Sequence, residues 1–322
     1  MKTIRKLISS RKYNRWPSWD LVFEWEDCIQ KEFDLALSDD IAFRIKWPVP
    51  FLKRMLNTSC PAFMFQMGPD LHGEYNKRNV VPCLIDFFLK EKDLPLFYRN
   101  NAMHPVLLVS SLEVVRYLEK RNCPLNIRHF PLSLSDKYRP APDVLQKKKY
   151  DLVLVGRTNE VLLDYLNRFA QSHPDFYYVY REMKGDVFNY YTSKGEFLGD
   201  IRTREQYMAL LRESRIGLYA TPGMDDGASR TNGFNPVTPR FLEMVSCGCH
   251  IIARYPDNEE TAFYEFHRFG PSVASYEQFE ERMVKALSEE VDLKAYGAYL
   301  EKHYTSKRCD LLRLILKETD NE

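Results

Sequence analysis

Four residues in the stretch NPVTPRFLEMVSCGCHII, residues 235–252, have types and spacing that suit an anion-binding site. Thr238 is a good N-cap for a helix, and Pro239 fits the first helical position. Arg240 and Glu243 then share one face near the positive end of the helix dipole, where unpaired backbone N–H groups attract a pyrophosphate. Glu243, further along the helix, has oxygens that can accept hydrogen bonds from a ribose diol. A surface ion pair between Arg240 and Glu243, worth about 0.2–0.5 kcal/mol, fits the same spacing.

A second polar stretch, MGPDLHGEYN at residues 67–76, carries groups that can take a proton from a substrate hydroxyl. It follows an apolar run, is rich in turn residues and presents Asp70, His72 and Glu74. His72 or Asp70 would be the general base in a reaction that needs one. In a reaction that needs none, these groups would only position the substrate. A polar loop with a surface histidine is the alternative interpretation.

Short apolar runs alternate with longer helical patterns on both sides of the stretch YRPAPDVLQKKK, 138–149, and predict a parallel α/β sheet in each half. The predicted strands of the first half are DLVFEW (20–25), AFMFQM (62–67), VLLVS (106–110) and NIRHFPL (126–132). Those of the second half are KYDLVLVGR, FYYVYRE, RIGLYA and HIIARY. SSLEVVRYLEKRN predicts a helix capped by Ser110 or Ser111, and TREQYMALLRES predicts one with a capping box from Thr203 to Gln206.

The composition excludes several classes of protein. A chain of 322 residues exceeds the usual size of one core and predicts two domains. The net charge of +1 provides no global basic field of the kind that marks a dedicated nucleic-acid binder. Seven cysteines without a C-x-x-C pair argue against a disulfide framework or a zinc site and favour a reducing cytosol. No run approaches the ~18 apolar residues that a membrane span needs.

The first 16 residues, MKTIRKLISSRKYNRW, are basic, with six Lys or Arg and no acid. Their longest apolar run, Leu7-Ile8, is far shorter than the apolar region of a signal peptide. Ile4, Leu7 and Ile8 would share one face of a helix, and such a helix would rest on the anionic inner surface of a membrane. A frayed, solvated terminus is the alternative.

The order of elements in the second half resembles the C-terminal domain of GT-B glycosyltransferases. The residues VGR follow a buried strand. The stretch PRFLEMVSCGCHIIARYPDNEE comes later, after a capped helix, a short strand and a Gly/Asp-rich loop. The pattern looks most like glycosyltransferase group 1, family 4-like, and in particular its CgeB-like relatives. Glu243, Cys247-Gly248 and the strand residues 250–253 match the family's acidic residue, Cys-Gly or Ser-Gly, and strand. The resemblance covers about 150–310 and is weaker in the first half.

This resemblance implies an α/β GT-B fold with two Rossmann-like domains facing a cleft. It places an acceptor-side domain at residues 1–140, a donor domain at 141–304, and a helix that packs back across the domains at 305–322. The N-terminal domain is expected to be reduced, because MKTIRKLISSRKYN offers neither the first strand nor the glycine-rich loop of the family. The other possibility is that DLVFEW is the first strand.

The resemblance also assigns donor contacts. Glu243 would bind the donor ribose, Gly156 and Arg157 would lie at the donor phosphates, and the backbone of residues 235–238 would face the donor sugar and phosphate. The donor-binding residues expected in that segment are Asn235 and Thr238.

Two departures from the family pattern affect this site. Asn235 stands where the family has a carboxylate, and Leu162 stands where it has a lysine. Arg240 or Arg230 would then supply the missing positive charge, because a guanidinium matches phosphate oxygens in a bidentate way.

The implied function is transfer of a sugar, a hexose, from a nucleotide-sugar donor to a glycan or lipid-linked acceptor. The family's role is cytoplasmic assembly of surface polysaccharide, lipopolysaccharide or capsule, and the basic residues 1–16 would add a peripheral contact with the inner membrane surface. No metal or other cofactor and no nucleic acid is expected, and retention of configuration is favoured while inversion stays open. The alternatives are a GT-B sugar-nucleotide epimerase and a non-catalytic protein with a degenerate donor pocket. The sequence does not reveal the donor sugar, its base, the acceptor or the oligomeric state.

Overall fold

The computed structural model describes residues 4–14, 19–40, 61–139, 147–184 and 187–321. The chain divides into two compact units. Unit 1 consists of Met1–Asp136 with His303–Glu322, and unit 2 consists of Lys137–Lys302. Most of the predicted boundary stretch, 138–149, lies outside the described residues.

Each unit has its own six-stranded sheet. The strands are β1 (Lys6–Ser9), β2 (Ala36–Asp39), β3 (Ala62–Gln66), β4 (Val80–Leu84), β5 (Leu107–Val109), β6 (Ile127–His129), β7 (Tyr150–Val153), β8 (Tyr178–Lys184), β9 (Val187–Thr192), β10 (Phe197–Asp200), β11 (Ser214–Ala220) and β12 (His250–Arg254). The helices are α1 (Asp20–Phe33), α2 (Leu94–Asn101), α3 (Leu112–Glu119), α4 (Glu160–Ser172), α5 (Arg204–Arg212), α6 (Ala228–Thr231), α7 (Arg240–Ser246), α8 (Glu259–Phe263), α9 (Tyr276–Ser288), α10 (Leu293–Leu300) and α11 (Thr305–Asn321).

The sheet of unit 1 has the order β2-β1-β3-β4-β5-β6, and every pair of neighbours is parallel. Its inner strands are buried on both faces, as in other parallel sheets. Helix α1 packs against α11. Val22, Trp25 and Ile29 of α1 recur at helical spacing and share one core cluster with Leu312 and Ile315 of α11.

Two predictions for the N-terminal segment are wrong. DLVFEW is the start of α1, and the first strand is β1, inside the basic segment that was expected to contain no strand. Ile4, Leu7 and Ile8 are only 1%, 0% and 4% exposed, so the predicted helix face for a membrane surface belongs to the protein core. Within the described residues, unit 1 has as many strands as unit 2 and is not reduced in its sheet.

The other predicted elements of unit 1 are confirmed. AFMFQM, VLLVS and NIRHFPL contain β3, β5 and β6, and the Ser111 side chain accepts a hydrogen bond from the Val114 N–H at the start of α3. The strands β2 and β4 were not predicted.

The sheet of unit 2 has the order β10-β9-β8-β7-β11-β12. The neighbouring pairs β8–β7, β7–β11 and β11–β12 are parallel. At one edge of the sheet, β8, β9 and β10 form an antiparallel ribbon. Helices α4 and α9 pack together over β11 and β12, and α5 and α7 pack against each other. The four predicted strands and the capping box of Thr203 with Gln206 are confirmed. None of the described helices combines the length and apolarity needed to cross a bilayer.

Candidate functional site

The turn that follows β7 brings three predicted donor residues together. Gly156 has φ +68°, and a Cβ at this position would lie 2.0 Å from the guanidinium carbon of Arg240. Glycine is therefore required both by the backbone conformation and by the packed arginine. Arg240 donates from Nη1 to the carbonyl oxygen of Arg157 at 3.0 Å. The turn and the start of α7 thus meet at the carboxyl end of β7, the edge where open α/β sheets bind ligands.

The start of α7 differs from its prediction. The helix begins at Arg240, has seven residues and has Pro239 at its N-cap, so the prediction of Thr238 as the N-cap is wrong. The Tyr219 hydroxyl instead accepts a hydrogen bond from the Thr238 N–H at 2.9 Å and lies 3.2 Å from the Thr238 hydroxyl. Burial raises the pKa of Tyr219 to about 12, so the phenol stays protonated at neutral pH.

Glu243 points into unit 2 and is only 3% exposed. Its Oε1 accepts a hydrogen bond from Nη2 of Arg204 at 2.6 Å, and its Oε2 accepts one from the Tyr207 hydroxyl at 2.9 Å. The alternative of a surface ion pair between Arg240 and Glu243 is therefore wrong, because the two side chains leave the helix toward different partners. Each carboxylate oxygen has a second lone pair, so the group keeps capacity for a further donor.

Asn235 and Arg230 stabilise the loop between β11 and α7. Asn235 is 7% exposed; its amide oxygen accepts from the Thr221 hydroxyl at 2.8 Å, and its amide nitrogen donates to the Gly233 carbonyl at 2.9 Å. Arg230 is exposed and donates to the Pro222 carbonyl at 3.4 Å. These bonds are internal to the loop, whereas Arg240 leaves it to reach the turn after β7.

A partly buried ion pair connects the same loop to the sheet. Arg254, the last residue of β12, contacts both carboxylate oxygens of Asp225, at 2.6 and 2.7 Å. Asn159, which caps α4, donates to Asp225 at 2.8 Å. Hydrogen bonding from Arg254 lowers the pKa of Asp225. Three chain segments at the carboxyl edge of the sheet are thereby held together.

Arg181 joins this region and was not predicted. It lies on β8 opposite Tyr190 of β9, and its guanidinium carbon is 3.9 Å from the centroid of the Phe188 ring. Burial lowers the pKa of Arg181, and the nearby charge of Arg240 lowers it further. Within the part of the chain that the structure describes, neither arginine forms an ion pair with a carboxylate. Arg181 and Arg240 thus bring two positive charges within electrostatic range of each other, and this arrangement suits a diphosphate.

Unit 1 contains a cavity of about 330 Å³ beside the ends of β1, β2 and β3. The predicted acceptor loop, residues 67–76, forms much of its wall, and Asp70, His72 and Glu74 all line it. Gln66 and Asp40, which the sequence did not single out, line it as well. The loop thus lies at the carboxyl end of the strands, as expected for a ligand site in an open parallel sheet.

The two candidate bases have different surroundings. Asp70 is 8% exposed; one of its oxygens accepts from the N–H groups of His72 and Gly73 at 2.8 Å, and the other accepts from the N–H of Tyr75 at 2.9 Å. Burial raises the pKa of Asp70, and these backbone bonds oppose that rise. The Asp70 carboxylate therefore stabilises the conformation of its own loop. His72 is exposed at the cavity wall. Among the described residues, there is no group of three His, Cys, Asp or Glu side chains that could hold a metal ion.

Two Rossmann-like α/β units, each with ligand-suited features at the carboxyl edge of its sheet, define the GT-B fold. Comparison with solved structures agrees. Sucrose-phosphate synthase from Thermosynechococcus elongatus is 12% identical with a TM-score of 0.56, and the match covers 83% of this chain and 76% of that one. The pneumococcal O-GlcNAc transferase GtfA, solved with UDP and GlcNAc, is 12% identical with a TM-score of 0.52 over 85% of this chain. This chain spans 60% of the length of the GtfA chain.

A third match is the DNA-modifying enzyme β-glucosyltransferase, at 11% identity over 99% of this chain and 98% of that one. Its TM-score is 0.46. No protein-family model matches the chain, and no curated protein does. The structural matches therefore show the GT-B fold, and the narrower resemblance to family 4-like and CgeB-like proteins stays a prediction.

Proposed function

We propose that this chain is a glycosyltransferase that binds a nucleotide-sugar donor on unit 2 and an acceptor hydroxyl on unit 1. The observation that carries the proposal is Arg240 packed on the glycine turn at the carboxyl edge of the unit 2 sheet, within electrostatic range of Arg181. A nucleoside diphosphate leaving group would neutralise both guanidinium groups. Its oxygens would also accept hydrogen bonds from the backbone N–H groups of that turn. That GtfA was solved with UDP supports this class of donor.

Glu243 is proposed to accept hydrogen bonds from the donor ribose in addition to those from Arg204 and Tyr207. Its burial fixes the carboxylate in one orientation, which suits recognition of a diol. Arg240 takes the role of the family's lysine, because Leu162 is 1% exposed and belongs to the core of unit 2.

The finer features follow from the same arrangement. The two arginines would carry the diphosphate charge in place of a metal ion, so transfer is proposed to need no metal and no other cofactor. Retention is favoured over inversion, because both oxygens of Asp70 already accept backbone N–H bonds and the leaving phosphate can take the acceptor proton instead. Transfer of a hexose to a glycan or lipid-linked acceptor in cytoplasmic polysaccharide, lipopolysaccharide or capsule assembly is proposed from the family resemblance alone.

The first experiment measures binding of UDP, GDP, ADP and CMP by calorimetry, followed by release of free nucleotide from the matching nucleotide sugars, with and without EDTA. We expect one diphosphate to bind and its sugar to be released with EDTA present. Arg240→Ala should weaken binding about 10- to 100-fold, because a charge-assisted hydrogen bond contributes about 1.5–3 kcal/mol. Arg202→Ala is the control, since the Arg202 side chain is 71% exposed.

The alternatives give different results. Interconversion of two nucleotide sugars without release would indicate an epimerase, and binding of no nucleotide would indicate a degenerate pocket. Equal affinities for wild type and Arg240→Ala would remove the arginine pair as the basis of the proposal. The anomeric configuration of the product, read by NMR, decides between retention and inversion.

A further inference from the structure

Two helices of unit 1 bring a pair of cysteines together. Cys28 lies on α1 and Cys309 lies on α11, and these helices pack against each other. The Cys28 thiol has a weak donor contact with Oδ2 of Asp136 at 3.8 Å. The same carboxylate accepts hydrogen bonds from the N–H and the hydroxyl of Ser306, at 2.9 and 2.6 Å, in the first turn of α11. Asp136 therefore connects Cys28 to the start of the helix that carries Cys309.

A second contact fixes the register of the two helices. The Arg313 guanidinium donates to the Glu32 carboxylate at 2.9 Å. Glu32 lies four residues after Cys28 on α1, and Arg313 lies four residues after Cys309 on α11. Because residues four apart share one face of a helix, both thiols lie one turn before this ion pair, on the surfaces that face each other. Cys309 belongs to the core cluster of unit 1, and Cys28 packs against the same cluster.

The two thiols differ in exposure and in acidity. Cys309 is 0% exposed, whereas Cys28 is half-buried. A side-chain hydrogen bond with Cys309 lowers the pKa of Cys28 and outweighs the opposing effects of burial and of the nearby carboxylates. The same hydrogen bond, together with burial, raises the pKa of Cys309. An accessible thiol of lowered pKa beside a second thiol is the arrangement typical of redox-sensing cysteines.

We propose that Cys28 and Cys309 form a reversible redox pair, which a hydroperoxide oxidises to a disulfide between α1 and α11. The Cys28 sulfur attacks the O–O bond of hydrogen peroxide, the leaving hydroxide takes the thiol proton as water, and Cys28 becomes a sulfenic acid. The Cys309 sulfur then attacks the Cys28 sulfur, and the hydroxyl group leaves with the Cys309 proton as a second water. Two thiols and one peroxide thus give one disulfide and two waters.

The oxidised pair would change the attachment of the C-terminal helix. A covalent bond would tie α11 to α1, and Cys28 would no longer donate to Asp136. In a reducing compartment, two molecules of a small thiol would restore the pair by exchange and leave as their own disulfide, so the cross-link would be transient. The inference does not rest on the proposed function, because it invokes none of the residues assigned to the donor or the acceptor.

The test exposes the full chain to equimolar hydrogen peroxide without reductant, alkylates the remaining thiols at timed intervals, and maps the peptides by mass spectrometry without reduction. One cross-linked peptide pair should contain Cys28 and Cys309, and dithiothreitol should remove it. Cys123 is the matched internal control, since it is also half-buried but burial raises its pKa. Cys28 should be oxidised about 10-fold faster than Cys123, because the thiolate is the form that attacks.

Variants separate the two roles. Cys309→Ser keeps a hydroxyl donor beside Cys28 but removes the second sulfur, so Cys28 should remain a sulfenic acid that dimedone labels, and no disulfide should form. Cys28→Ser should give no disulfide at Cys309, and Cys123→Ser should behave as wild type. A disulfide from Cys28 to another cysteine, equal oxidation rates of Cys28 and Cys123, or equal dimedone labelling of wild type and Cys309→Ser would overturn the inference. If Cys309→Ser does not fold, the peptide map and the oxidation rates of wild type still decide.

Discussion

Replacement of Gly156 by alanine tests the geometry of the donor site most directly. The new methyl group would lie 2.0 Å from both the guanidinium carbon and Nη2 of Arg240, far inside any real contact. The backbone there has φ +68°, so the residue would also be strained without the clash. The clashing atoms are the far end of a flexible side chain, so Arg240 should move aside and give up its hydrogen bond to the Arg157 carbonyl.

The expected magnitude separates into two parts. A left-handed backbone costs a non-glycine residue about 1–2 kcal/mol. Gly195→Ala isolates this part, since Gly195 has φ +84° and nothing within 4 Å of the added Cβ. Loss of the charge-assisted bond from Arg240 adds about 1.5–3 kcal/mol at Gly156. Gly156→Ala should therefore destabilise unit 2 by clearly more than Gly195→Ala, and only Gly156→Ala should weaken nucleoside diphosphate binding, about 10-fold or more.

The assays are chemical denaturation and nucleotide calorimetry on both variants and on Gly156→Ala combined with Arg240→Ala. If the clash with Arg240 causes the extra destabilisation, adding Gly156→Ala to the Arg240→Ala variant should lower the free energy of unfolding by no more than Gly195→Ala lowers it in wild type. Equal destabilisation by the two single glycine variants, or unchanged nucleotide affinity in Gly156→Ala, would refute the packing of Arg240 on this turn.

Three further predictions concern buried carboxylates. Burial raises the pKa of Glu26 from 4.5 to about 7, so the folded state holds a proton that the unfolded chain releases, and stability falls as pH rises through that window. In denaturation experiments, the free energy of unfolding of Glu26→Gln should equal that of wild type at pH 4.5 and exceed it by about 3 kcal/mol at pH 8.5. Equal free energies of unfolding at pH 8.5 would contradict this prediction. Asp225→Asn should lower the free energy of unfolding by about 1–3 kcal/mol at pH 7, because it leaves Arg254 without its carboxylate partner. The variant should also lose less stability than wild type as the pH falls below about 4, because it lacks the carboxylate whose pKa is lowered in the folded state. Tyr207→Phe should lower the melting temperature by removing a donor to Glu243, and an unchanged melting temperature would show that this bond contributes nothing.

The elements of the fold were predictable where the sequence pattern that indicates them spans only a few neighbouring residues. The capping box of α5 and the Ser111 cap of α3 act within three residues, and the buried parallel strands of unit 2 read as continuous apolar runs. The error at DLVFEW came from a window that was too short. Val22, Trp25 and Ile29 show the helical period only when the following turns of α1 are included. Strand β4 was missed because Pro82 is unusual in the interior of a sheet.

The candidate sites divide in the same way. The sequence alone determined that Gly156 and the loop 67–76 follow strands and that Arg240 lies at the start of a helix, because a turn after an apolar run and a loop before a helix are local patterns. Only the tertiary structure decided that Arg181 comes within electrostatic range of Arg240, that Glu243 turns toward Arg204, and that Gln66 lines the cavity of unit 1. These side chains belong to different strands and helices, and their meeting depends on strand order and on which face each side chain takes, neither of which spacing along the chain encodes.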